Sequence, residues 1–167
     1  MIDRRVLLST AAGLAAGWFS FPGKARAEKA AAKKFEIEKT PEEWKRQLSP
    51  AQYHILREQG TEPAYSSPLN NEHRKGTFAC AGCDLPLYAS ETKFESGTGW
   101  PSFYDHLPNA VGTTTDRSYF MVRTAVHCSR CGGHLGHVFN DGPKPTGLRY
   151  CMDGLALNFK PAAASAS

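Results

Sequence analysis

The stretch Cys128-Ser129-Arg130-Cys131-Gly132-Gly133-His134-Leu135-Gly136-His137-Val138-Phe139 decides how this chain is read. Its first four residues form a CxxC knuckle, and a second knuckle, Cys80-Ala81-Gly82-Cys83, lies 44 residues upstream. A two-residue spacer lets both sulfurs of a knuckle reach one tetrahedral ion at about 2.3 Å, and two knuckles complete a closed shell of four thiolates. Gly82, Gly132 and Gly133 supply the tight turns that aim backbone N–H groups at the sulfurs. The expectation is a structural zinc ion held by Cys80, Cys83, Cys128 and Cys131, clamping two hairpins that are distant in the chain. Two disulfides are the competing reading for an exported protein. A thioredoxin-like redox pair is a third, and it lacks the βαβ context that motif needs.

Zinc would leave Cys151 as the odd thiol among five cysteines. In an extended strand, Arg149, Cys151 and Asp153 share one face and Leu148, Tyr150 and Met152 the other. A guanidinium beside the sulfur favours the nucleophilic thiolate, and Asp153 works against it. By itself this setting suits an inert buried cysteine as well as a reactive one. His134 and His137 follow the second knuckle at once and are candidates for acid–base chemistry. Ser96-Gly97-Thr98-Gly99-Trp100-Pro101-Ser102-Phe103 is a glycine-rich loop that carries an indole suited to binding a ligand.

Around these motifs, the chain has 167 residues, 41% of them hydrophobic, which is one ordinary globular domain. No apolar run reaches the roughly 18 residues of a membrane span. Residues 1–27 read as a twin-arginine-like signal peptide: Arg4 and Arg5, an apolar stretch over 6–21, then Lys24-Ala25-Arg26-Ala27 as the cleavage site. An N-terminal anchor is the competing reading. The leader carries a net +3 of the formal +4, so the remaining 140 residues are nearly neutral. Bulk charge therefore gives no support to a nucleic-acid or anionic-lipid partner. The expected compartment is the periplasm.

Residues 28–39 are rich in Ala, Lys and Glu and read as a flexible tether. Thr40-Pro41-Glu42-Glu43 and Ser49-Pro50-Ala51-Gln52 are capping boxes that open two short helices. Trp44 and Leu48 share a face of the first; Tyr53 and Leu56 point inward from the second, and Gly60 ends it. From Gly76 the pattern turns to β. Phe120, Val122 and Val126 fall on one face of an alternating stretch, and 148–159 holds two strands broken near Gly154. Residues 161–167 read as a disordered tail. The fold class expected is mainly β, antiparallel, behind a short N-terminal helical segment.

Over residues 40–160 these motifs, together with Asp141-Gly-Pro-Lys-Pro-Thr-Gly147 and Arg149-Tyr-Cys151, resemble methionine-R-sulfoxide reductase B. The resemblance implies two antiparallel sheets, a structural Cys₄ zinc and reduction of the R epimer of methionine sulfoxide, free or in oxidised proteins. It implies Cys151 as nucleophile, His137 as proton donor assisted by His134, and Arg149 as the cation favouring the thiolate. Trp100 and Phe103 would bind substrate. Three positions depart from the family pattern. Thr98 stands where many members carry a resolving cysteine, so an external thiol or thioredoxin-like protein is expected to reduce the sulfenic acid. Asp153 stands where Asn is usual, and Gly154 where Ser is. An ionised Asp153 only accepts hydrogen bonds, whereas a protonated one donates. A monomer is expected. The competing function is a non-enzymatic binding module on the same scaffold, with Trp100 as its platform.

Overall fold

The computed structural model describes residues 35–163. The leader, residues 28–34 of the tether and residues 164–167 of the tail lie outside the described residues. Both helices form where their caps place them. Thr40 caps α1 (Pro41–Gln47) and Ser49 caps α2 (Pro50–Glu58), each with the reciprocal side-chain bond of a capping box. Such a cap is worth about 1 kcal/mol per helix, needed in elements too short to persist alone. Trp44, Leu48, Ile55 and Leu56 are buried; Tyr53 is only partly so.

The second helix ends one residue earlier than expected. Gln59, not Gly60, takes the left-handed conformation, at φ 57°. At Gly60 a Cβ would stand 2.3 Å from the exposed His54 ring, which would have to turn aside to admit it. The tether is also shorter than composition suggested. Phe35 packs edge-on against His127, and Ile37 donates its N–H to the Arg130 carbonyl at 3.1 Å. Two apolar residues in a charged run were enough to dock it on the second knuckle.

Among the described residues, nine strands follow. A three-stranded antiparallel sheet has the order β2-β1-β9, made of β1 (Gly76–Cys80), β2 (Pro86–Ala89) and β9 (Leu157–Pro161). The second sheet has six strands: β3 (Lys93–Phe94), β4 (Ser102–Phe103), β5 (Val111–Asp116), β6 (Arg123–Cys128), β7 (His134–Phe139) and β8 (Arg149–Met152). Its order is β3-β4-β8-β7-β6-β5, antiparallel throughout. Two details of the expectation are corrected. The chain over 118–122 is a short 3₁₀ turn and loop rather than strand, so Phe120 is fully exposed and Val122 largely so. At the other end, Pro161 pairs with Gly76 and Ala162 bonds to Lys75, so ordered structure runs past residue 160.

The sheets share an aromatic core. Phe103 stacks on Tyr88 at 4.4 Å between centroids, Phe78 meets Phe103 edge-on at 4.9 Å, and the Tyr88 hydroxyl donates to Met152 Sδ at 3.0 Å. Burying each ring contributes roughly 2–3 kcal/mol. Because Tyr150 and Met152 turn into this core, period two sends Cys151 to the opposite face of the sheet.

Candidate active site and metal centre

Cys80 ends β1, and Cys128 ends β6. The two hairpin turns that follow bring the four sulfurs together within 4.8 Å of one another. Cys80 Sγ lies 3.7 Å from Cys131 Sγ, and Cys83 Sγ 3.5 Å from Cys128 Sγ. A tetrahedral ion with bonds of about 2.3 Å requires sulfur separations of roughly 3.8 Å. A disulfide requires about 2.05 Å, so the paired-disulfide reading gives way to a four-thiol cluster that can hold a metal ion. Both helices brace this cluster. Gln47 Nε2 donates to the Gly82 carbonyl at 2.6 Å, and Arg57 Nη1 to the Cys131 carbonyl at 3.0 Å. At φ 69°, Gly132 could carry no side chain without strain, and a Cβ there would stand 2.5 Å from the Phe35 ring.

The second cluster is built on the outer face of the six-stranded sheet. Cys151 in β8 is paired with Ser102 on one side and with His137 on the other. The approach of β7 to β8 depends on Gly136, whose φ is 146° and whose hypothetical Cβ would lie 2.2 Å from the Cys151 carbonyl oxygen. Trp100, Arg123, His137, Phe139, Cys151 and Asp153 line a cavity of about 110 Å³. A wider cleft of about 630 Å³ adjoins it, sharing Arg123 and His137 and adding Glu58, Asp116 and His134.

Burial pushes the Cys151 thiol above its ordinary pKa; the Thr98 hydroxyl and the Arg149 guanidinium oppose this, and Asp153 reinforces it. The expected net activation by Arg149 is thus outweighed by desolvation. Arg149 is itself engaged elsewhere. Its Nε and Nη2 each donate to Asp141 at 2.9 Å, and its guanidinium sits 4.5 Å over the Phe139 ring. Hydroxyls of Thr98, Ser96 and Ser102 form a chain behind the sulfur, with Thr98 Oγ1 3.7 Å from Cys151 Sγ.

His137 Nε2 lies 2.8 Å from Asp116 Oδ2, and the same oxygen receives Arg123 Nη2 at 2.7 Å. Hydrogen bonds from Ser118, first, and from His137 hold Asp116 well below the usual carboxylate range, so this ionised group accepts and His137 Nε2 donates. Burial lowers the pKa of His137, only partly offset by Asp116. Burial also takes His134 down to about 4, helped by its neighbour His137. Both rings are therefore neutral at pH 7.

Of the expected site residues, Cys151, His137, Trp100 and Asp153 meet in the smaller cavity. His134 lines the adjoining cleft, and Arg149, outside the cavity lining, acts on Cys151 through its charge. Phe103 does not belong here. It is wholly buried against Tyr88 and Phe78, because the strand that puts Ser102 beside Cys151 must turn its next residue into the core.

Asp116 and Glu62 had no local signature. Asp116 ends an edge strand and meets His137 only through the register of β5 and β6. Glu62 follows α2 and is 4% exposed, yet four bonds converge on it. Its N–H donates to Asp153 Oδ1 at 2.9 Å, and its carbonyl accepts the Trp100 indole N–H at 3.1 Å. Its carboxylate accepts the N–H groups of Gly154 and Leu155 at 2.5 and 3.1 Å.

The SelR domain family pattern matches residues 48–161, spanning both the sulfur cluster and the cavity. This chain belongs to that family. Among curated relatives, it is 57% identical to the peptide methionine sulfoxide reductase MsrB of Methanosarcina barkeri, over 74% of this chain and 88% of the relative. It is 52% identical to the MsrB of Leptospira interrogans, over 75% of this chain and 97% of that protein. The MsrB of Agrobacterium fabrum is 51% identical over 75% and 94% of the two chains. Membership of the MsrB family makes the chain an oxidoreductase, and the reading as a pure binding module gives way.

Proposed function

We propose that this protein reduces the R epimer of methionine sulfoxide, in oxidised proteins or free, to methionine. The observation that carries the reading is the meeting of Cys151, Trp100, His137 and Asp153 in one small cavity of an MsrB-family chain. Trp100, fixed by its bond to Glu62, offers an indole face to the substrate methyl group. The Cys151 thiolate attacks the sulfoxide sulfur while the oxygen takes up a proton. The sulfur–oxygen bond of the substrate breaks, methionine departs, and the oxygen remains on Cys151 as a sulfenic acid. Two electrons pass from the cysteine sulfur to the substrate sulfur.

An external thiol, such as a thioredoxin-like periplasmic protein, then reduces the sulfenic acid. Thr98 supports this step: the group nearest Cys151 in the glycine loop is a hydroxyl, which cannot form a disulfide. Zinc is the proposed occupant of the Cys80, Cys83, Cys128 and Cys131 cluster, where four thiols at tetrahedral spacing fit it. Its contribution there is folding free energy rather than catalysis. The leader reading supports export to the periplasm by the twin-arginine route, which would allow metal loading before transport, and the functional unit proposed is a monomer.

The test is a stereochemical assay with each sulfoxide epimer on wild type and Cys151→Ser. Turnover of the R epimer alone, abolished by the substitution, is expected. Reduction of the S epimer, or activity without the thiol, would overturn the reading.

A further inference from the structure

We infer that Thr98 is a further catalytic residue: its hydroxyl, oriented by Ser96 and Ser102, donates a hydrogen bond to the Cys151 sulfur and stabilises the attacking thiolate. The inference rests on the reductase reading and names what activates the nucleophile of that reaction.

The sulfur needs such a partner. Burial works against its ionisation, and Asp153 nearby adds to that. The Arg149 guanidinium is held by two bonds to Asp141 and stands outside the cavity lining. Thr98 Oγ1, 3.7 Å from Cys151 Sγ, is the largest influence in the opposite direction, ahead of Arg149. The other charged and titratable groups around the sulfur are His137 from β7 and Arg123 from β6, both bound to Asp116. What β4 and the glycine loop present is hydroxyl: Ser102, paired with Cys151 across the strands, and Thr98.

The loop is fastened on both sides of Thr98. Tyr65 Oη donates to the Gly97 carbonyl at 2.8 Å. The Gly99 carbonyl accepts the Tyr65 N–H at 2.7 Å and Asn70 Nδ2 at 3.0 Å. Such anchoring keeps the Thr98 hydroxyl beside the sulfur before substrate arrives, so little ordering is left for the reaction.

Thr98 Oγ1 lies 2.8 Å from Ser96 Oγ, Ser96 Oγ lies 2.7 Å from Ser102 Oγ, and Ser102 donates to the Trp100 carbonyl at 3.1 Å. Each hydroxyl has one hydrogen to give, and that fixes the direction of the chain. While Cys151 is a thiol, every hydrogen points away from the sulfur: S–H to Thr98, Thr98 to Ser96, Ser96 to Ser102, Ser102 to Trp100. When the thiol proton leaves for solvent, the sulfur only accepts, and these hydroxyls turn about their Cβ–O bonds. Ser102 then donates to Ser96, Ser96 to Thr98, and Thr98 to the sulfur. The Thr98 N–H, 3.4 Å from Ser96 Oγ, serves Ser96 in both arrangements. No hydrogen changes its oxygen; the chain reverses with the charge on Cys151.

The experiment follows alkylation of Cys151 by iodoacetamide against pH, read by mass, together with kcat/KM on a small R-sulfoxide. Thr98→Val keeps the shape and removes the hydroxyl. It should raise the Cys151 pKa and slow both reactions about tenfold at neutral pH, with alkylation reaching the wild-type limit at high pH. Thr98→Ser, which keeps the hydroxyl, should stay within about twofold of wild type. Ser96→Ala should give a smaller shift in the same direction, and none in a Thr98→Val background. A wild-type alkylation profile in Thr98→Val, an equal loss in Thr98→Ser, or a Ser96→Ala shift that survives in the double variant would overturn the inference. A wild type that alkylates as expected yet reduces neither epimer would instead overturn the reductase reading.

Discussion

Thr98 sets its hydroxyl 3.7 Å from the sulfur of Cys151, and no thiol occupies that place. The glycines on both sides of Thr98 have φ of 70° and 93°, and a Cβ at Gly99 would also stand 2.9 Å from Ala64 and Tyr65, so backbone freedom and close packing together shape the loop.

Intact mass after a single turnover without reductant should therefore show one added oxygen and no internal cross-link to Cys151. Thr98→Cys should convert that product into an intramolecular disulfide with the loss of water. A Cys151 disulfide in the wild type would contradict the external-thiol route.

Asp116 holds His137 and Arg123 with one carboxylate oxygen. Asp116→Asn keeps the shape but removes the charge and one of the acceptors. kcat/KM should fall roughly tenfold to a hundredfold through loss of ring orientation. Circular dichroism should stay at the wild-type signal, and steady-state kinetics on the R epimer measure the loss.

Metal analysis of the purified protein should find about one zinc per chain. Stripping it with a strong chelator, or Cys83→Ser, should lower the thermal midpoint and broaden the transition, because binding to such a cluster supplies folding energy of about 10 kcal/mol or more. Calorimetry before and after zinc is restored provides the measurement.

Stability should depend on pH from both sides. Asp153 rises from 3.8 to about 7 on folding, so the native state holds the extra proton; this stability is complete below about 4 and is lost as pH climbs through 7. His134 falls from 6.5 to about 4, so its contribution is complete above 6.5 and is lost as pH drops toward 4. Denaturant midpoints should peak between these limits. Asp153→Asn should flatten the alkaline side, a gain on the order of 3 kcal/mol at pH 9.

Much of this fold was legible because its signals are local. The two capping boxes, the CxxC knuckles and the alternation that sends Cys151 and Tyr150 to opposite faces all act within a few residues. Phe103 was misplaced because adjacency to the Trp100 loop says nothing about which face of a two-residue strand it occupies. Phe120 and Val122 alternate like core residues, yet Asp116, Ser118 and Arg123 bond one another and hold the intervening chain as an exposed loop. Asp116 and Glu62 escaped notice for a common reason. Each works by meeting a partner far along the chain, Glu62 across 91 residues to Asp153, and no spacing rule encodes such a meeting.

The strand that bears Cys151 is hydrogen-bonded on both flanks, to β4 and to β7. On the proposed route the oxidised sulfur would stay anchored where it forms, and the reductant would reach it through the cavity that takes the sulfoxide. Two visitors sharing one threshold take turns. Ping-pong kinetics, with each partner in excess excluding the other, is the outcome expected in steady-state measurements with sulfoxide and thiol varied together.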